Sequence, residues 1–262
     1  MTAGHGRGLL SAFYWAFVVY LALPLGLIAL MSFKQGSIVG FPLASVTGSW
    51  YAAVLSDQET LRAFAYSAGV ALASSVLAVL IGTWTALAIA GVRQRWLRLG
   101  LRGAALIPLV TPGIVHAIAL RIFIRFIGLD PGLLAVLLGH AVHAAPYAVL
   151  MVGARLATAP PNLVEAARDL GAGPVGSFRR VTLPWLRPAL LGAALLAVLT
   201  SVDDFIRSFF LGGYQATLPV LIYGRLRSGL TPELNAIATL VLLTTAVVVL
   251  LAERQARRAR AS

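Results

Sequence analysis

Six long apolar stretches alternate with polar segments along the chain, at 10–33, 63–92, 103–126, 133–156, 188–210 and 234–251. Each is long enough to cross roughly 30 Å of hydrocarbon as a helix. The pattern therefore predicts an all-α polytopic membrane protein with six transmembrane helices. The second stretch is rich in Ala, Gly, Ser and Thr, which let helix backbones approach closely, and is predicted to lie inside the bundle. The third contains Pro108 and Thr111-Pro112-Gly113, which predict a break or kink in mid-membrane. The first, Leu10 to Phe33, is too long for a signal-peptide core and lacks a small-x-small cleavage site, so it reads as a retained helix with a bend near Pro24 and Gly26.

The polar segments carry structure of their own. Residues 34–61 read as an external loop with a short amphipathic piece around Trp50-Tyr51, an interfacial aromatic anchor. Residues 155–187 are too many for a tight turn between membrane helices. There Pro160-Pro161 stops the preceding helix, and Asn162 stands where a cap would, three residues before Glu165. Leu163, Val164, Ala167 and Leu170 fall on one apolar stripe, Gly171 is a C-terminal stop, and Gly173-Pro174 forces a turn before a second short basic helix around Phe178-Arg179-Arg180. Small Ala166 and Ala167 leave room for a partner backbone.

Composition narrows the class. With 59% hydrophobic and 11% charged residues the chain is no ordinary soluble domain, and with no cysteine it has neither disulfides nor cysteine-ligated metal. Six crossings put both termini on one side. With that side inside, the inner segments hold Arg7, four arginines from Arg93 to Arg102, five from Arg155 to Arg187 and four from Arg254 to Arg260, fourteen of the 21 basic residues, against three of the 9 acids, Glu165, Asp169 and Glu253. The positive-inside rule then places the termini and the 155–187 segment in the cytoplasm. It also accounts for the net charge of +12, so no nucleic-acid partner is expected.

The run Glu165-Ala166-Ala167, three residues, Gly171, nine residues, Val181-x-Leu183-Pro184 resembles the loop that marks the permease subunits of ABC importers, with Val181 where Ile is usual. The resemblance implies the type I ABC importer permease fold, a single transmembrane permease domain over 1–262, and a cytoplasmic coupling loop at 155–187. Glu165, Ala166, Ala167, Asp169, Gly171, Leu183 and Pro184 would then engage a separate ATPase, with Glu165 meeting it and Gly171 setting the turn. The implied partners are two ATPase copies, a second permease, an extracytoplasmic solute-binding protein and membrane lipid, and the implied site is the bacterial inner membrane. The chain itself would be non-catalytic and need no cofactor; it has no Gly-x4-Gly-Lys-Ser/Thr loop, and its one lysine, Lys34, falls in the external segment.

A narrower resemblance joins it. Ser201-Val202-Asp203-Asp204, Ser208-Phe209, Leu218-Pro219, Ile222-Tyr223 and Thr231 to Thr239, with Trp50-Tyr51 and Thr111 to Val115 earlier, look like the permeases of spermidine/putrescine importers. The chain departs from them at Arg207, Arg225 and Arg227, since cations suit carboxylates or phosphonates. Polyamine is the leading substrate, with a phosphonate, an opine or ferric iron as alternatives. Asp203, Asp204, Ser208, Arg121 and Pro112 are the candidates for the translocation path. A carboxylate inside a span is costly unless paired or facing water; Arg207, one turn from Asp203, and Arg121 are the candidate partners. Whether these charges line a path or only pair with one another is open at this level.

Other chemistries fit less well. His140 and His143 share a helix face, but no span offers them a well-placed carboxylate, so with His116 they are expected to bond to neighbouring helices and not to a metal. An intramembrane protease is disfavoured because Asp203 and Asp204 are adjacent and cannot converge as a dyad, and no Gly-x-Ser-Gly nucleophile is present. A stand-alone secondary transporter would need inverted repeats or a midplane ion site, and neither is visible.

Overall fold

A computed structural model describes residues 3–36, 39–43, 45–160 and 162–261. Among these residues twelve α-helices run in order: α1 (Ala3–Met31), α2 (Ser49–Ser56), α3 (Gln58–Gly91), α4 (Arg95–Val110), α5 (Gly113–Phe126), α6 (Leu133–Ala157), α7 (Leu163–Asp169), α8 (Pro174–Ser177), α9 (Leu183–Val202), α10 (Phe205–Leu211), α11 (Leu218–Leu226) and α12 (Pro232–Ala261). Among the described residues the only other pairing is one isolated bridge between Lys34 and Val46. Contacts divide the chain into two compact units, Met1–Leu61 with Ile222–Arg254, and Arg62–Leu221 with Gln255–Ser262.

Five segments are single apolar helices of spanning length: Leu10–Met31, Gln58–Gly91, Leu133–Ala157, Pro174–Val202 and Pro232–Leu250. The third expected span is broken: α4 and α5 meet at 105° across Thr111-Pro112, where the proline cannot supply the N–H that would continue the helix. Two expectations need correction. The short basic helix around Phe178-Arg179-Arg180 is not separate, because α8 passes through a π turn, Phe178–Thr182, directly into α9. The fifth span ends at Val202 and not Phe210; Asp203-Asp204 interrupts it, and α10 resumes beyond. The basic residues from Arg254 onward continue α12.

The larger unit is built on small residues. Along α3, Leu72, Val76, Leu80 and Trp84 form an exposed stripe, while Ala71, Ser74, Ser75, Ala78 and Ala86 are buried on other faces. The span is thus buried on one side and exposed on the other, not enclosed as a helix inside the bundle would be; the most buried span is α6. Ala78, Ala141, Ala144 and Ala197 make one cluster of α3, α6 and α9, and Ala86, Val152 and Leu186 another. A third, of Val70, Ile124, Ala135, Val136 and Leu211, seats α10 against α5 and α6. α3 and α6 touch closely at Gly82, where a Cβ would lie 2.5 Å from Ala148 Cβ and 2.6 Å from the Ala145 carbonyl oxygen. Ala at Gly82 is expected to push α3 off α6 and to lower stability by about 1–3 kcal/mol, read as a lower melting temperature in detergent.

The smaller unit is tied by polar contacts. Trp50 Nε1 donates to the Lys34 carbonyl at 2.9 Å, and the Tyr51 hydroxyl lies 2.6 Å from Ser32 Oγ, so this aromatic pair fastens α2 to the end of α1. Arg225 bridges three acids: Asp57 at 2.5 Å, Glu59 at 2.9 Å and Glu233 at 2.9 Å. Asp57 also accepts from the Thr60 hydroxyl at 2.5 Å and from the Glu59 and Thr60 amides, capping α3. The Thr60 hydrogen bond first, and the Arg225 guanidinium second, hold the Asp57 carboxyl well below the ordinary carboxylate range. The unfolded chain therefore takes up this proton first on acidification. The contribution is complete above the ordinary value of about 3.9 and is lost progressively below it. Asp57→Asn is expected to flatten the dependence of melting temperature on pH between neutrality and acid.

Candidate functional site

The break after α9 puts a carboxylate where a helix begins. Asp204 is the N-cap of α10, its Oδ1 accepting from the Arg207 amide at 3.0 Å, while its Oδ2 pairs with Arg207 Nη1 at 2.7 Å. Both side chains are buried, at 4% and 6% exposure. Asp203, one residue earlier, is exposed and makes no side-chain bond or ion pair among the described residues. The two adjacent acids thus have opposite circumstances: one is neutralised inside the fold, the other is free.

Histidines from two other helices complete the cluster. Arg207 Nη2 donates to His143 Nδ1 of α6 at 2.8 Å and lies 3.4 Å from His116 Nδ1 of α5. A guanidinium can only donate, so each of these ring nitrogens accepts. His140 is buried with Nδ1 2.7 Å from Ser201 Oγ and Nε2 3.1 Å from Ser208 Oγ, one hydroxyl on each side of the break. Ser201 in turn meets Ser74 of α3 at 3.1 Å. The break is therefore held by side chains of α3, α5 and α6 and is not a loose hinge.

The candidate path residues separate accordingly. Ser208 and Asp204 lie inside this network. Arg121 does not pair with either acid; it donates to the Phe210 carbonyl at 2.6 Å, satisfying the end of α10. Arg207 pairs with Asp204 and not with Asp203, because the break turns the two acids apart. Pro112, exposed, is the N-cap of α5, where Gly113 lets α5 approach α10: a Cβ there would be 3.2 Å from Ile206 Cδ1. A carboxylate does stand near the histidines after all, Asp204 Oδ2 at 4.0 Å from His140 Nε2. Among the described residues no group of three His, Cys, Asp or Glu could hold a metal ion.

The 155–187 segment has its own geometry. Pro161 and the side chains of Leu163 and Val164 lie outside the described residues. Asn162 is the N-cap of α7, but its side chain makes no capping bond, so the expected capping arrangement is absent. The C-terminal stop is as expected: Gly171 has φ +82°, with Ala172 N bonded to Ala167 O at 3.0 Å and Gly171 N to Arg168 O at 2.8 Å, a Schellman closure. Glu165, Ala166, Asp169 and Pro184 are exposed, Ala167 and Leu183 half-buried. Leu170 is 89% exposed, a large apolar side chain at the tip of a polar segment. Not anticipated was the closure at the base. Arg155 Nε donates to the Trp185 carbonyl at 3.0 Å, Trp185 Nε1 donates back to the Arg155 carbonyl at 3.2 Å, and the guanidinium stacks 3.9 Å above the indole. The aromatic after Pro184 and the arginine ending α6 were the available signals.

Residues 78–260 match the family described as binding-protein-dependent transport system inner membrane component. The chain belongs to that family. It is a permease component of the ABC importer class and a multi-pass inner membrane protein. It is 32% identical over 253 residues to the spermidine/putrescine transport system permease protein PotC of Escherichia coli K12, covering 96% of this chain and 95% of that one. It is also 32% identical over 235 residues to the putrescine transport system permease protein PotI of the same organism, covering 85% and 82%. Its fold resembles that of a bacterial ABC transporter involved in alginate import, with TM-score 0.75, 17% identity and coverage of 97% and 96%. The inward-facing MetNI methionine ABC transporter gives TM-score 0.64 at 24% identity, covering 76% of this chain and 94% of that one.

The buried pair gives a stability test. Asp204→Asn strands a buried guanidinium and is expected to cost about 3–5 kcal/mol, whereas Asp204→Asn with Arg207→Gln should recover much of that loss. Melting temperatures of the three proteins in one detergent compare them.

Proposed function

We propose that this chain is one permease of an ATP-driven polyamine importer. A second permease completes the pathway, two ATPase copies seat against the two permeases' coupling segments, and an extracytoplasmic binding protein delivers the solute. The observation that carries the substrate is the identity over nearly the whole chain to a spermidine/putrescine permease. The site supports it from the residues. The arginines that set this chain apart are largely neutralised: Arg207 by Asp204, and Arg225 by Asp57, Glu59 and Glu233. The exposed, unpaired carboxylate of Asp203 is then the acid available to an ammonium group, while Asp204 shapes the break that presents it. Arg121 and Pro112 hold the ends of α10 and α5 near the path, and Ser208 acts through His140.

In this reading the 155–187 segment and both termini face the cytoplasm. The exposed α7 with Glu165, Ala166 and Asp169 meets the ATPase, Gly171 fixes the turn, and Leu183-Pro184 starts the helix that carries the motion to the break. Nucleotide hydrolysis belongs to the ATPase and not to this chain.

Reconstitution of the chain with its ATPase and partner permease tests both halves, by ATP hydrolysis and uptake of labelled putrescine and spermidine. Glu165→Ala is expected to uncouple or detach the ATPase while the permease still folds. Asp203→Asn is expected to leave the melting temperature unchanged and to raise the KM for uptake roughly tenfold, as for loss of one charged hydrogen bond. Coupling unchanged by Glu165→Ala would remove the docking role, and uptake unchanged by Asp203→Asn would remove Asp203 from the path.

A further inference from the structure

A cavity of about 550 Å³ lies in the larger unit, between α3, α4 and α6, at the ends of these helices nearest the 155–187 segment. Its walls are hydrocarbon: Ala86 and Ile89 of α3, Leu106 of α4, Leu150 and Gly153 of α6. Its polar lining comes from Arg98 and Arg102, one turn apart on α4. Neither guanidinium makes an ion pair or hydrogen bond among the described residues. No acid lines the cavity, and none occurs in the sequence between Glu59 and Asp130. Two uncompensated guanidinium groups above an apolar recess exclude a cation and disfavour a small hydrophilic anion, which would leave the recess unfilled. They match an amphiphile with one anionic head. Trp96, 71% exposed on the same helix, is a residue type that settles at the level of lipid headgroups.

We propose that this cavity binds an anionic phospholipid from the bilayer, its phosphodiester held by Arg98 and Arg102 and an acyl chain lying along α3 and α6. Basic recesses between membrane helices on the positively charged side are a recurrent setting for such headgroups. The site is distinct from the polar cluster at the α9–α10 break and needs no transported solute. By its position it braces α4, the cavity-lining arm of the broken third span, against α6.

The test is native mass spectrometry of the full chain in detergent, titrated with palmitoyl-oleoyl phosphatidylglycerol or phosphatidylcholine. The wild type is expected to retain phosphatidylglycerol selectively. Arg98→Ala with Arg102→Ala should weaken retention about thirty-fold, each arginine contributing roughly a factor of five. Arg98→Lys with Arg102→Lys should keep most of it. Gly153→Phe leaves both arginines in place and fills open space, since no atom lies within 4 Å of a Cβ at that position; it should weaken retention as well. Equal retention of the two lipids, full retention by Gly153→Phe, or displacement of phosphatidylglycerol by millimolar inorganic phosphate would each overturn the proposal. Melting temperatures identify any variant that fails to fold, and the remaining variants still decide the question.

Discussion

Burying one guanidinium beside one carboxylate in a membrane bundle constrains the rest of this molecule. The Asp204–Arg207 pair is affordable only because each partner has further bonds: the α10 amide for the acid, the two imidazoles for the arginine. Those requirements fix which helices must be adjacent. α5 must bring His116, α6 must bring His140 and His143, and α9 must stop so that Asp204 can turn inward. Glycines meet the resulting crowding: Gly113 and Gly139 face α10 side chains at distances no larger residue would tolerate without displacement. The hydrophobic clusters then close around a polar arrangement whose geometry is already set.

Much of this was legible in the order of residue types. The apolar lengths gave the spans apart from the bounds of the fifth, Thr111-Pro112-Gly113 the break in the third, the Ala/Ser texture of α3 its one buried side, and Gly171 its turn, because each depends on local chemistry that a short window contains. The partners of the charges were not legible. Arg207 stands four residues from Asp203 and three from Asp204, both helical spacings, and only the interruption of the helix between the acids decides for Asp204. Arg121 likewise looked like an ion-pair partner because a sequence shows its charge but not the unsatisfied carbonyls at the end of α10. Asn162 had the right chemistry for a cap without adopting the geometry of one.

The two acids illustrate a division of labour within a single dipeptide. The buried one is spent on architecture, and the exposed one is left with its charge unopposed. A sequence motif of two carboxylates therefore need not mean two equivalent ligands. The arginines that seemed to argue against a cationic solute are largely taken up by acids in the same way, which removes their field from the surface they were expected to dominate.

The unbroken run from Pro174 to Val202 has a mechanical consequence. Its 29 residues are helical throughout, through the π turn at Phe178–Thr182, about 44 Å at 1.5 Å per residue. One end begins just after Gly171, Arg155 clasps the run at Trp185, more than a third of the way along, and the other end terminates at the Asp203-Asp204 break. Beyond that clasp the helix runs from Trp185 to Val202, about 26 Å at 1.5 Å per residue, so a tilt of about 5° there displaces the far end by roughly 2 Å. A slight rotation about the clasp is thus enough to shift the exposed carboxylate by more than a bond length, with no bending of the helix between.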